Sequence, residues 1–141
     1  MTSEYVRYQA AAPDEHGRFK GLFGLVNNLG RAGRLSPEQE RFRRENNAWY
    51  DGAYTDPSTV DPAVYDPAVH PGAAAWFKPS ATHLFERIHG YLEILDAHGV
   101  RWTRVASADP GRVVYEDDVQ IVVVPHGKDL SPDGIAPAGN G

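Results

Sequence analysis

Near the end of the chain a mixed stretch, Arg112-Val-Val-Tyr-Glu116, is followed by Asp117-Asp118 and then by an apolar run from Val119 to Val124. β-Branched and aromatic positions around a polar turn predict a hairpin of Arg112–Glu116 with Val119–Val124. With Asp117-Asp118 as a two-residue loop, Tyr115 pairs with Gln120, Val114 with Ile121, and Val113 with Val122. Both faces of the second strand are then apolar, as expected of a strand covered on both sides.

Upstream the apolar period becomes helical. Ala81, Leu84, Phe85, Ile88, Leu92 and Leu95 form one stripe of a helix from about Pro79 to His98, stopped by Gly99. Leu22, Leu25, Val26 and Leu29 form the stripe of an earlier helix, with Gly33 at its left-handed cap; Gly21, Gly24 and Gly30 inside it are expected to serve close packing. Between them Ser36-Pro37-Glu38-Gln39 is a helix start, in which Ser caps, Pro opens the first turn and Gln reaches back. That helix carries Phe42, Trp49 and Ala53 near one stripe and should end near Gly52. Glu4–Gln9 reads as a first strand and Trp102–Val105 as another, with a turn at Asp109-Pro110-Gly111. The order β-α-α-α-β-β-β predicts a single α+β domain over residues 1–125, an antiparallel sheet of about four strands with three helices. Residues 126–141 are polar and rich in Gly and Pro, and are expected to be a disordered tail.

One internal repeat stands out. Asp56-Pro-Ser-Thr-Val60, Asp61-Pro-Ala-Val-Tyr65 and Asp66-Pro-Ala-Val-His70 are three pentads in register. A carboxylate before proline starts a turn or a helix, so consecutive short turns in a strap are predicted, with Val60, Val64 and Val69 as anchors. A lid over a pocket is the alternative.

Composition narrows the function classes. The chain has 141 residues, 41% hydrophobic and 23% charged, which suits one folded domain with a real core. The lack of cysteine excludes disulfides, thiolate zinc sites and cysteine nucleophiles. No apolar run reaches the length of a membrane span, and a cytoplasmic protein without membrane contact is expected. The net charge of −5 is uneven: residues 1–50 hold eight Lys/Arg against six Asp/Glu, and residues 51–141 six against thirteen. A summed field of this sign repels phosphate, so no nucleic-acid partner is expected. No cofactor or metal is expected either. His83, Glu86, His89 and Glu93 form a polar helical column, but the two histidines are too far round the helix to converge, which leaves a solvated face.

Two features carry candidate chemistry. Glu116, Asp117 and Asp118 crowd carboxylates at the hairpin, where one raised pKa would make a general acid or base; Glu116, at the strand end, is the best placed. Trp and Tyr are abundant beside few polar partners, a pattern that fits either core filling or an aromatic-lined small-molecule site. The candidate site lies between Trp49, Trp76 and the Tyr115–Gln120 end of the hairpin, with Arg7 or Lys78 holding an anionic group and Glu116 as proton acceptor. The expected function is therefore a small-molecule enzyme or ligand-binding domain. The alternative is a non-catalytic interaction module: the doubly apolar Ile121–Val124 strand and the split between basic and acidic segments favour association with itself, as a homodimer, or with a charged partner. Phosphate-loop, dinucleotide, nucleophile-elbow and zincin motifs are absent.

The segments Trp76-Phe-Lys-Pro-Ser-Ala81, His98-Gly-Val100 and Pro110-Gly-Arg-Val-Val-Tyr-Glu-Asp117, with Gln120, resemble those of small uncharacterised bacterial proteins of actinobacterial type. The likeness covers most of residues 5–125. It implies a bacterial one-domain protein and brings no activity or site residue with it.

Overall fold

Residues 4–126 are described by a computed structural model. In chain order the elements are β1 (Tyr5–Ala10), α1 (Leu22–Arg31), α2 (Pro37–Ala53), α3 (Pro57–Val60), β2 (Ala74–Phe77), α4 (Thr82–Phe85), α5 (Ile88–Ala97), β3 (Trp102–Ser107), β4 (Arg112–Glu116) and β5 (Gln120–Val124). The strands form one sheet in the order β3-β1-β2-β5-β4, with antiparallel pairing of β1 to β2, β2 to β5 and β5 to β4. Helices beside an antiparallel sheet make the α+β class expected from the sequence. Among the described residues no helix is long and apolar enough to cross a membrane. The segment expected to be disordered, 126–141, lies outside the described residues except for His126, whose Nε2 is 2.9 Å from Asp109 Oδ1.

The chain gathers into two compact units. Among the described residues the sheet unit comprises 4–7, 56–81 and 105–126, and the helical unit Tyr8–Thr55 and Thr82–Arg104.

In the sheet unit, β5 is buried at all five positions, because it lies between β2 and β4 and both its faces are apolar. Trp76, Ile121 and Val123 form a core cluster, against which Tyr5, Ala74 and Val105 pack. The fifth strand, β2, was not expected. Ala-Ala-Trp-Phe is short and shows no alternation; it becomes a strand because β5 and β1 pair with its two edges.

The hairpin register also differs from expectation. Glu116 pairs with Ile121 and Tyr115 with Val122, while Val113 pairs with Val123, so Val114 is the extra residue of a β-bulge. The cause is Asp117, whose Oδ1 accepts the Val119 and Gln120 N–H groups at 2.9 and 3.1 Å, while its own N–H donates to the Gln120 carbonyl at 3.0 Å. This closes the turn around Asp118-Val119, one residue later than predicted. Gly111 enters β4 against the Val124 carbonyl so closely that a β-carbon there would collide with it.

The strap forms three successive turns. Asp56, Asp61 and Asp66 each accept the N–H two residues on, from Ser58, Ala63 and Ala68, at 2.9, 3.0 and 2.9 Å. Of the three expected anchors only Val64 is buried, whereas Val60 and Val69 are 63% and 51% exposed. Val60 is fifth in its pentad where Val64 and Val69 are fourth, and even those two equivalent valines differ in exposure.

In the helical unit, α2 begins with the full capping box: Ser36 Oγ accepts the Gln39 N–H at 3.1 Å and Gln39 Oε1 the Ser36 N–H at 2.9 Å. Helices α1 and α5 end alike. Gly33 and Gly99 have φ of 70° and 69°, and Arg34 and Val100 donate back to the carbonyls of Leu29 and Leu95 at 3.0 and 2.9 Å. The continuous helix expected over 79–98 is instead α4 and α5, with a turn at residues 86–87. The break follows Leu84, whose carbonyl accepts the buried Tyr50 hydroxyl at 2.6 Å. The expected stripe survives the break: Ala81, Leu84, Ile88, Leu92 and Leu95 are buried, and Phe85 is partly buried. His83, Glu86, His89 and Glu93 are exposed, the solvated face expected of them.

Candidate functional site

The sheet register decides which candidate residues meet. Directly paired residues of neighbouring strands share a face, so Trp76, Ile121 and Glu116 lie on one side of the sheet. Val6, Phe77 and Gln120 lie on the other, which places Arg7, next to Val6, on the Trp76 side. Lys78 follows the end of β2, and its Nζ meets Glu116 Oε2 at 2.7 Å. Arg7, Trp76, Lys78 and Glu116 are thus gathered around one sheet face. Tyr115 pairs with Val122 and shares the opposite face with Gln120. Trp49 belongs to the helical unit.

The Lys78–Glu116 pair is the accessible part of this face, with side chains 23% and 52% exposed. Hydrogen bonding to Glu116 raises the Lys78 pKa, and burial opposes it weakly. The Lys78 N–H donates to the Val119 carbonyl at 2.8 Å, which ties its backbone to the hairpin turn. Trp76 is 6% exposed and serves the core more than a surface. Arg7 is partly buried, and its guanidinium donates to the Ala75 carbonyl at 2.9 Å. Burial pulls its pKa down to about 10, and the nearby Tyr65 acts in the opposite sense. Tyr65 is 40% exposed as a residue. Its hydroxyl still feels enough burial to be pushed up, against the pull of Arg7.

Around the turn, Asp117 is the common acceptor, a role that singling out Glu116 overlooked. Besides two backbone N–H groups it takes the Tyr115 hydroxyl at 2.8 Å and the Gln120 amide at 3.0 Å. Burial disfavours its charge, but these donors together outweigh burial and hold its pKa below the usual range. The hydrogen bond to Asp117 pushes Tyr115 up to about 12, with burial adding to it. The sequence signal was an aspartate three residues before a buried glutamine, a turn motif masked by its acidic neighbours. Tyr65 was missed because nothing local links it to Arg7.

The aromatic richness noted in the sequence resides mainly in the helical unit. Phe23 packs edge-on to Tyr50 and Tyr91, with ring centroids 4.9 and 5.1 Å apart, and Phe42 packs on Tyr91 at 5.1 Å. Polar groups within the unit meet the hydroxyls. Tyr91 donates to Asn47 Oδ1 at 2.7 Å, Asn47 to Asn27 at 2.9 Å, and Arg43 to Asn27 at 3.2 Å. Burial pushes both the Tyr50 and Tyr91 phenols up, so they act as hydrogen-bond donors and not as bases at neutral pH. Trp49 lies under the Arg87 guanidinium, 4.1 Å from its ring centroid, and Arg87 also donates to Asn46 at 3.1 Å. This network fills and orients a core.

In comparisons with known proteins, the chain matches no family model, no curated protein and no solved structure.

Proposed function

We propose that the sheet unit is a small-molecule module whose site is the Lys78–Glu116 end of the Arg7–Trp76 face, and that its ligand carries an anionic group. The observation supporting this is the exposed ion pair itself. A carboxylate or phosphate arriving at Lys78 competes with Glu116 for the ammonium, and the released Glu116 then stands as a proton acceptor beside the bound group. Arg7 adds a second cation on the same face, and the Asp117-centred turn holds Glu116 in position. The reading covers both a binding domain and an enzyme, acting in a bacterial cytoplasm.

A thermal-shift screen of small carboxylates and phosphates, followed by titration of any hit, tests this reading. A genuine ligand raises the melting temperature of the wild type, and Lys78→Met abolishes the shift. Glu116→Gln with unchanged stability, affinity and turnover removes Glu116 from the site.

The interaction-module alternative loses one of its two motives, since Ile121–Val124 is between 0% and 5% exposed within a single chain; the split between basic and acidic segments is unaffected.

A further inference from the structure

Opposite Lys78, on the neighbouring strand, stands a phenol. The antiparallel register that pairs Val6 with Phe77 sets Tyr5 against Lys78 and Arg7 against Trp76. Lys78 keeps this alignment past the end of β2, because its N–H still bonds the Val119 carbonyl at 2.8 Å. Packing agrees with the register. Tyr5, partly buried, lies against the cluster of Trp76, Ile121 and Val123, on the sheet face where Lys78 meets Glu116 at 2.7 Å. Side chains directly opposite on antiparallel strands start about 4.5–5.5 Å apart, so one small group can touch both. Among the described residues the Tyr5 hydroxyl forms no hydrogen bond, which leaves its proton free to donate. Arg7 sits one row further along and is engaged with the Ala75 carbonyl at 2.9 Å. Hydrogen bonding to Glu116 is the main cause of the raised Lys78 pKa, and the Tyr5 phenol acts in the same sense, so the two side chains are within electrostatic reach.

An ammonium and a phenol side by side suit one ligand group. A carboxylate carries two oxygens in a plane, one to accept from the ammonium and one from the phenol, both in charge-assisted hydrogen bonds. Charge decides against phosphate. The described residues of the sheet unit hold eight carboxylates against three cations, Arg7, Lys78 and Arg112. A phosphate monoester brings about 1.5–2 negative charges into that field at neutral pH, and a carboxylate brings one. Building on Lys78–Glu116 as a ligand site, we propose that its ligand is a carboxylate monoanion bridged between the Lys78 ammonium and the Tyr5 hydroxyl. Displacing Glu116 from Lys78 costs an ion pair, and the new hydrogen bond from Tyr5 offsets part of that cost.

Calorimetric titration of the full chain with benzoate and with phenyl phosphate, which share a ring and differ in the anionic group, tests the bridge. The expected result is benzoate binding, with phenyl phosphate roughly tenfold weaker or more. Tyr5→Phe keeps the ring that packs on the Trp76 cluster and removes only the hydroxyl. It should weaken benzoate by about tenfold while circular dichroism and ligand-free melting stay unchanged. Lys78→Met should abolish binding. Benzoate affinity that Tyr5→Phe leaves intact overturns the bridge, and the Lys78 site itself still stands if Lys78→Met abolishes binding. Phenyl phosphate that binds as tightly as benzoate overturns the choice of a carboxylate. Binding that Lys78→Met leaves intact, or no binding of either probe, removes the Lys78 site and the bridge with it.

Discussion

The Phe42 ring on α2 lies on the bare backbone of Gly90 on α5, so that a β-carbon at position 90 would occupy the space of the ring edge. The ring cannot simply swing aside, because it also packs edge-on against Tyr91 at 5.1 Å and 72°. In an open helix, Gly→Ala stabilises by up to about 1 kcal/mol. Here the overlap reverses the sign, and Gly90→Ala should destabilise by about 1–3 kcal/mol. Denaturant melts of the single and double variants check this, and in a Phe42→Leu background the penalty should shrink. Additive effects would show that the ring and the glycine are not coupled.

Tyr50→Phe removes the hydroxyl that reaches the Leu84 carbonyl at 2.6 Å. The aromatic contacts stay, but a buried acceptor loses its donor, so stability should fall by about 1–3 kcal/mol. The change should also loosen the junction of α4 and α5. Amide exchange near residues 84–88 that matches the wild type would argue against this hydrogen bond as the cause of the break.

Glu40 anchors two arginines, and its hydrogen bonds to Arg43 and then Arg44 pull its pKa down to about 2 from 4.5. A carboxylate with a depressed folded pKa stabilises above its unfolded value and loses that contribution as protons bind. The wild type should therefore lose stability between pH 4.5 and about 2 that Glu40→Gln never possesses. Melting temperatures of the two proteins should differ at neutral pH and converge in acid. A constant gap across the titration would exclude the ion pair as the source.

Tyr115 should titrate at about 12, because ionised Asp117 accepts a hydrogen bond from the neutral phenol and burial adds to the effect. Stability from this raised phenol is complete below its ordinary value of 10.0 and is lost as pH climbs through about 12. The phenolate absorbance difference between wild type and Tyr115→Phe isolates the group. Asp117→Asn keeps an oxygen for the turn but removes the charge, and should bring the titration down towards 10.0. A midpoint that does not move in Asp117→Asn would refute the pairing.

Local chemistry made much of this architecture legible. The Ser36–Gln39 box, the Gly33 and Gly99 caps and the 81–95 stripe depend on residues within a turn or two of each other, and each is found where the sequence places it. Strand β2 depends on partners more than forty residues away in β5, so its four residues carry no signal of their own. The hairpin slipped by one position because an aspartate side chain, not a backbone preference, chose where the turn closes. The candidate site was legible by the same rule. Lys78 and Glu116 do meet, whereas Asp117 as hub is a local turn motif that its acidic neighbours masked, and Tyr65 beside Arg7 arises from long-range packing that residue type cannot reveal.

The strap has a consequence for how this chain can vary. Thr59, Val64 and Val69 each donate to the aspartate carbonyl three positions back, at 2.9, 3.0 and 3.0 Å, but the pentads are also tied to one another, since the Asp61 and Asp66 N–H groups donate back to the Pro57 and Ala63 carbonyls at 3.0 and 3.1 Å. His70 Nδ1 adds a further tie, 3.0 and 3.1 Å from the Ala63 and Val64 carbonyls. A change of length by one pentad would have to remake these ties around the buried Val64, so the entropy of closing a longer loop is the smaller part of its cost.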